Sequence, residues 1–134
     1  MAITGLVVAT PGQTWTDNPT EGCSPGFWKN HPEALVTYAP NQTLDSVFTG
    51  VDPSLGGASL LDALSFKGGD TPVEKQARLL RAGVAALLNA TSGIDYGVSP
   101  LGVIKAVNKR LASGDYNALT KSLDARNTLG CPLT

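Results

Sequence analysis

Thr71-Pro72-Val73-Glu74-Lys75-Gln76-Ala77-Arg78-Leu79-Leu80-Arg81-Ala82-Gly83-Val84-Ala85-Ala86-Leu87-Leu88-Asn89 is the stretch on which the fold turns. Its opening residues spell a helix start. The Thr71 hydroxyl can accept from a free backbone N–H, Pro72 at the first helical position forfeits no hydrogen bond, and Glu74 can reach back to the Thr71 amide. Val73, Ala77, Leu80, Val84, Leu87 and Leu88 then recur at spacings of three and four, which predicts an amphipathic helix over 72–89 with those residues inward. Lys75, Arg78 and Arg81 fall largely on other faces. Thr91-Ser92-Gly93 supplies the stop.

The same device opens two more helices, at Ser24-Pro25 and Ser99-Pro100. A second amphipathic helix is expected over 100–112, with Leu101, Ile104, Val107 and Leu111 inward and Ser113-Gly114 ending it. A third is expected over 115–126, carrying Tyr116, Leu119 and Leu123. Shorter helices are expected at 25–36, 43–48 and 59–66. Short connections between the last three favour a packed bundle. The fold class is therefore mainly α, a small helical bundle.

Residues 1–22 read differently. Ile3, Leu6, Val7 and Val8 suggest one short β-strand or extended arm, followed by the turn-rich run Thr10-Pro11-Gly12-Gln13-Thr14-Trp15-Thr16-Asp17-Asn18-Pro19. A single strand is not stable alone. Ile3, Leu6, Val7 and Val8 are thus candidate residues for docking onto a partner subunit, and the expected division is 1–22 as a docking segment and 23–134 as the helical domain. No positive charge precedes the apolar stretch, and Thr10-Pro11-Gly12 interrupts it, so it reads as mature protein rather than a secretion leader.

Composition narrows the function classes. A chain of 134 residues fits one domain, and its 16% charged residues lie below the usual share for soluble domains. Ten Lys and Arg nearly cancel eleven Asp and Glu, and Lys109-Arg110 is the only adjacent basic pair, so nucleic acid is not an expected partner. The apolar runs, such as Val84-Ala85-Ala86-Leu87-Leu88, fall far short of the about 20 residues that a membrane span needs. The surface rich in Thr, Ser, Asn and Gly suits an extracellular or assembly-bound protein.

The densest run of chemistry is Glu21-Gly22-Cys23-Ser24-Pro25-Gly26-Phe27-Trp28-Lys29-Asn30-His31-Pro32. It resembles a Cys-Ser/Thr-Pro-Gly-Phe/Tyr-Trp-Lys-Asn-His domain of secreted and cell-surface proteins of bacteria and archaea. The likeness continues through Gln76-Ala77-Arg78-Leu79-Leu80 and Ala85-Ala86-Leu87-Leu88-Asn89, similar to that group's central helix ending in Leu-Asn. It closes on Leu123-Asp124-Ala125-Arg126-Asn127 and Gly130-Cys131, similar to a terminal Leu-Asp-x-x-Asn and Gly-x-Cys with the intervening residue missing. The resemblance covers about residues 21–131. It implies a small helical domain outside the cell and no established activity. Two departures, the strand-like N-terminal segment and the missing leader, are both accounted for by a virion protein such as a bacteriophage capsid or tail component.

The only two cysteines, Cys23 and Cys131, stand at the two ends of that region. Their placement, with the resemblance, leads to one disulfide closing the domain, which implies oxidising surroundings. In the chain-entropy picture, closing about 110 residues stabilises by roughly 4–5 kcal/mol. Two alternatives compete. In one, Cys23 is a nucleophile, with His31 as base and Asn30 orienting it, although eight residues of helix separate Cys23 from His31 by about 12 Å. In the other, Cys23, Cys131 and His31 hold zinc, without the paired ligand spacing structural sites use. No calcium loop is present, and Asn41-Gln42-Thr43 and Asn89-Ala90-Thr91 match the glycosylation acceptor triplet.

Phe27, Trp28, Asn30 and His31 form either a structural cluster or a ligand cluster. The favoured expectation is structural. Phe27 and Trp28 would anchor the first helix in the core, while Asn30 and His31 hydrogen-bond a neighbouring loop or helix end. His31 precedes Pro32 and so is biased away from helical backbone. Taken together, the residues lead to a non-enzymatic structural or interaction protein of an extracellular assembly, a virion component first and a secreted cell-surface, filament or matrix protein second. Its expected partners are protein subunits of its own or another type, with no cofactor and no metal. The rival is a small-ligand binder or enzyme centred on Trp28, Asn30 and His31.

Overall fold

The computed structural model describes residues Trp15, Thr16 and 18–133. The strand expected at Ile3, Leu6, Val7 and Val8 lies outside the described residues. Among the described residues seven α-helices follow in order: α1 (Pro25–Asn30), α2 (Leu44–Val47), α3 (Pro53–Gly56), α4 (Leu60–Ala63), α5 (Pro72–Thr91), α6 (Pro100–Ser113) and α7 (Asn117–Asn127). Extended pairing among the described residues is confined to isolated bridges, Trp15 with Val98, Gly22 with Gly130 and Thr43 with Ser59. Cys23 and Cys131 form the disulfide, with their Cα atoms 4.5 Å apart.

The caps work as their chemistry dictates. Ser24 Oγ accepts from Phe27 N at 3.2 Å, and Ser99 Oγ accepts from Gly102 N at 3.0 Å. Thr71 Oγ1 accepts from Glu74 N at 3.2 Å while Glu74 Oε1 accepts from Thr71 N at 3.1 Å, completing the capping box. A fourth helix uses a variant of this start that the hydroxyl pattern did not flag. At Asp52-Pro53 the carboxylate accepts from Ser54 N and caps α3.

Three expectations need correction. The helix expected at 25–36 divides, because His31, ahead of Pro32, takes φ −132° and ψ 57°. Proline's ring excludes α geometry from the residue before it, so α1 stops at Asn30 and a separate single turn of 3-10 helix covers Pro32–Ala34. Val73 and Leu101 were expected inward, yet they are 36% and 41% exposed. Each sits in its helix's first turn, and burial begins later, at Gln76 in α5 and Gly102 in α6.

The third correction concerns the central helix. α5 is not a one-sided amphipathic helix, since Ala77, Leu79, Leu80 and every residue from Ala82 to Asn89 are buried. It packs against α7 and α6 most extensively, and also against α1 and α4. A helix covered all round is what such apolar continuity means. Its small residues set how closely neighbours approach. A Cβ added to Gly83 would meet Val107 Cγ2 of α6 at 3.1 Å, tighter than ordinary contact.

Candidate functional site

Where α5 ends, its last core residue is polar. Asn89 is completely buried, and it uses all the hydrogen-bonding capacity an amide side chain has on four contacts. Its Oδ1 accepts from Cys23 N at 2.9 Å and from Trp28 Nε1 at 3.1 Å. Its Nδ2 donates to Cys23 O at 2.8 Å and to Asn127 Oδ1 at 3.0 Å.

Asn127, the last residue of α7, extends the network. Its Oδ1 also accepts from the Tyr96 hydroxyl at 2.6 Å, and its Nδ2 donates to Ala82 O at 3.1 Å. The cluster therefore ties together the disulfide's first half-cystine, α1, two points of α5, the loop after it and the end of α7. Among the described residues no buried side-chain nitrogen or oxygen lacks a partner. Burial pushes the Tyr96 phenol far above its ordinary value, against the opposing pull of the Arg126 charge. It remains a neutral donor at physiological pH.

The motif residues divide into two sets. Cys23 and Trp28 face inward and are buried, and Phe27 meets the Trp28 ring edge-to-face at 5.0 Å. Lys29 and Asn30 are exposed. His31 stacks on Phe27 at 4.4 Å, and its Nδ1 lies 2.8 Å from Phe27 O. A carbonyl only accepts, so Nδ1 carries the proton. The histidine thus closes its own helix end. Trp28, Asn30 and His31 do not converge on a common point.

The disulfide removes both thiol alternatives, because a bonded half-cystine is neither a thiolate nucleophile nor a zinc ligand. Among the described residues no group of three or more His, Cys, Asp or Glu side chains is gathered to hold a metal. The two acceptor triplets separate cleanly as well. Asn41 is exposed, whereas the Asn89 amide nitrogen is sealed in the core by its two acceptors.

Residues 15–22, apart from Asp17, lie along the domain rather than away from it. Thr16 N donates to Gly97 O at 2.7 Å, Glu21 N donates to Asp95 O at 3.0 Å, and Gly22 exchanges backbone bonds with Gly130. Arg126 clamps this segment. Its Nη2 donates to Thr16 O at 2.7 Å, its Nη1 to Tyr96 O at 3.1 Å, and its guanidinium lies 5.0 Å from the Trp15 ring centroid.

No family model matches the chain, and neither a curated protein nor a solved structure does. Sequence reasoning reached Asn89 and Asn127 only as letters of a motif; their partnership with Tyr96 and Ala82 was not visible. The available signal was an Asn following a long apolar run near the end of α5.

Proposed function

We propose that this protein is a non-enzymatic structural subunit that works outside the cytoplasm, in a virion or in a cell-surface filament or matrix. The observation that carries this reading is the brace around Asn89. The side chains with the most chemical promise, Cys23, Trp28, Asn89, Tyr96 and Asn127, satisfy one another in the core and point to holding a shape. A satisfied buried network rigidifies a fold, and a disulfide suits an oxidising setting.

The rival reading, a small-ligand site at Trp28, Asn30 and His31, has less support, since these three face the core, the solvent and their own helix end. In the proposed role the domain is the rigid body, and Ile3, Leu6, Val7 and Val8 dock onto a neighbouring subunit. Deleting residues 2–13 leaves the Arg126 clamp on Trp15 and Thr16 in place. The deletion is expected to convert an ordered oligomer into a monomer without loss of helical circular dichroism. Sedimentation showing a monomeric full-length chain, or unchanged assembly after the deletion, overturns the reading.

A further inference from the structure

Trp15 is more than a third exposed, yet several contacts hold it in place. It bridges Val98, Thr16 is bonded on both sides of its peptide unit, and Arg126 lies against the ring. Gly97 makes this seat possible. Its φ of +82° is left-handed, and a Cβ there would collide with Thr16 Oγ1 and Arg126 Nη1. An exposed indole fixed in this way is preorganised, so a ligand stacking on it meets no further ordering cost.

Beside the indole runs an open groove of about 260 Å³, lined by Trp15, Gly102, Lys105, Ala106 and Lys109. The four α6 residues stand at i, i+3, i+4 and i+7, one face of the helix. Gly102 and Ala106 give a shallow floor, and Lys105 and Lys109 put two exposed ammonium groups about 6 Å apart along the axis. Arg126, whose guanidinium lies against the indole, is not among the residues that line this groove. The salt bridge among the described residues joins Arg110 to Asp115 and involves neither lysine.

We propose that this groove binds an acidic polysaccharide, a chain of pyranose rings bearing carboxylates. The C–H face of a pyranose stacks on the indole, and the carboxylates of neighbouring rings pair with Lys105 and Lys109. An acidic peptide offers the indole a stacking face only where it carries an aromatic or proline side chain, whereas every pyranose of the polysaccharide offers one. A nucleic acid has stackable rings, but its phosphates call for a broader basic track than two lysines on a chain of net charge −1. The proposal is independent of subunit docking and stands or falls separately.

The chain's two tryptophans make the test direct, because Trp28 is buried and Trp15 reports on the groove. The full chain is titrated with tetragalacturonate, with a neutral maltotetraose control and with oligothymidylate, following tryptophan emission. A saturable change is expected with tetragalacturonate alone, weakening with added salt. The paired substitution Lys105→Gln and Lys109→Gln is expected to weaken it at least 10-fold while the helical circular dichroism stays unchanged. Trp15→Ala, followed by calorimetry, is expected to do the same. Absence of saturable binding, equal binding by the lysine variant, or tighter binding of oligothymidylate overturns the proposal.

Discussion

Replacing Asn89 with Ala tests whether the brace holds the fold. The substitution strands three buried groups at once: Cys23 N–H, Cys23 C=O and the Trp28 indole N–H. Asn127 Oδ1 is spared, because it keeps the Tyr96 hydroxyl. A buried polar group left without a partner costs about 1–3 kcal/mol. Three of them cost roughly 3–9 kcal/mol, and water entering the vacated space draws the figure toward the lower half. A domain of this kind has about 5–15 kcal/mol in total. For 134 residues the unfolding entropy converts a loss of 3–4 kcal/mol into a fall in Tm of about 10–15 °C. The assay is urea unfolding of the oxidised protein, followed by both far- and near-ultraviolet circular dichroism. Asn30→Ala, at an exposed position of the same motif, serves as the control and is expected to stay within about 0.5 kcal/mol of the parent. A loss below about 1 kcal/mol for Asn89→Ala would refute the reasoning, since the three stranded groups would then have found other partners.

Two further outcomes follow from the same geometry. Burial holds the Tyr96 phenol above its ordinary value, so the folded chain keeps a proton that the unfolded chain releases. That contribution is intact below about pH 10 and is lost as the pH rises beyond it. In phenolate absorbance the Tyr96 step is expected to appear only with alkaline unfolding of the chain. In Tyr96→Phe that step disappears at a cost of about 1 kcal/mol at neutral pH; a Tyr96 phenolate forming while the parent is still folded would contradict this. Opening the disulfide in the paired substitution Cys23→Ala and Cys131→Ala is expected to cost roughly 4–5 kcal/mol in urea unfolding, because the bridge closes nearly the whole domain. A cost under about 1 kcal/mol would mean that the ends are already held together by the Gly22–Gly130 pairing.

What was legible in the sequence is what local chemistry decides. A cap is a relation between a hydroxyl and a backbone N–H three residues on, so Ser24, Thr71 and Ser99 announced α1, α5 and α6 before any packing was known. At Asp52-Pro53 a carboxylate does the same work, so a hydroxyl pattern alone leaves α3 out. The pre-proline restriction at His31 is equally local, and it sets the length of α1. The faces of α5 were misjudged for a different reason. Periodicity locates one apolar stripe, but Ala82, Gly83, Ala85 and Ala86 are small enough to be covered by neighbours on any side. Only the positions of α1, α4, α6 and α7 decide that they are.

The brace and the groove were illegible on physical grounds of the same kind. Asn89 and Asn127 are 38 residues apart, and Trp28 and Asn89 are 61 apart. No spacing rule relates residues so far apart. An asparagine in a helix is ordinarily a surface or cap residue, and at the end of a helix it reads as a stop signal. What distinguishes Asn89 is the ten apolar or glycine residues among the thirteen before it, which leave nowhere for a polar side chain to reach water. Such an asparagine must find its four partners inside, and the half-cystine's peptide unit supplies two of them. This explains why the motif around Cys23 and the Leu-Asn at the end of the central helix occur in one chain: each satisfies the other's buried polar groups. Exchanging Asn89 for an apolar residue of similar size therefore does not restore stability, because such a side chain offers no partner to the buried N–H and C=O of Cys23. Asn89→Leu is expected to lose at least as much as Asn89→Ala in the same urea assay. Recovery of parent stability by Leu would show that filling the space, rather than pairing the Cys23 backbone, is what position 89 contributes.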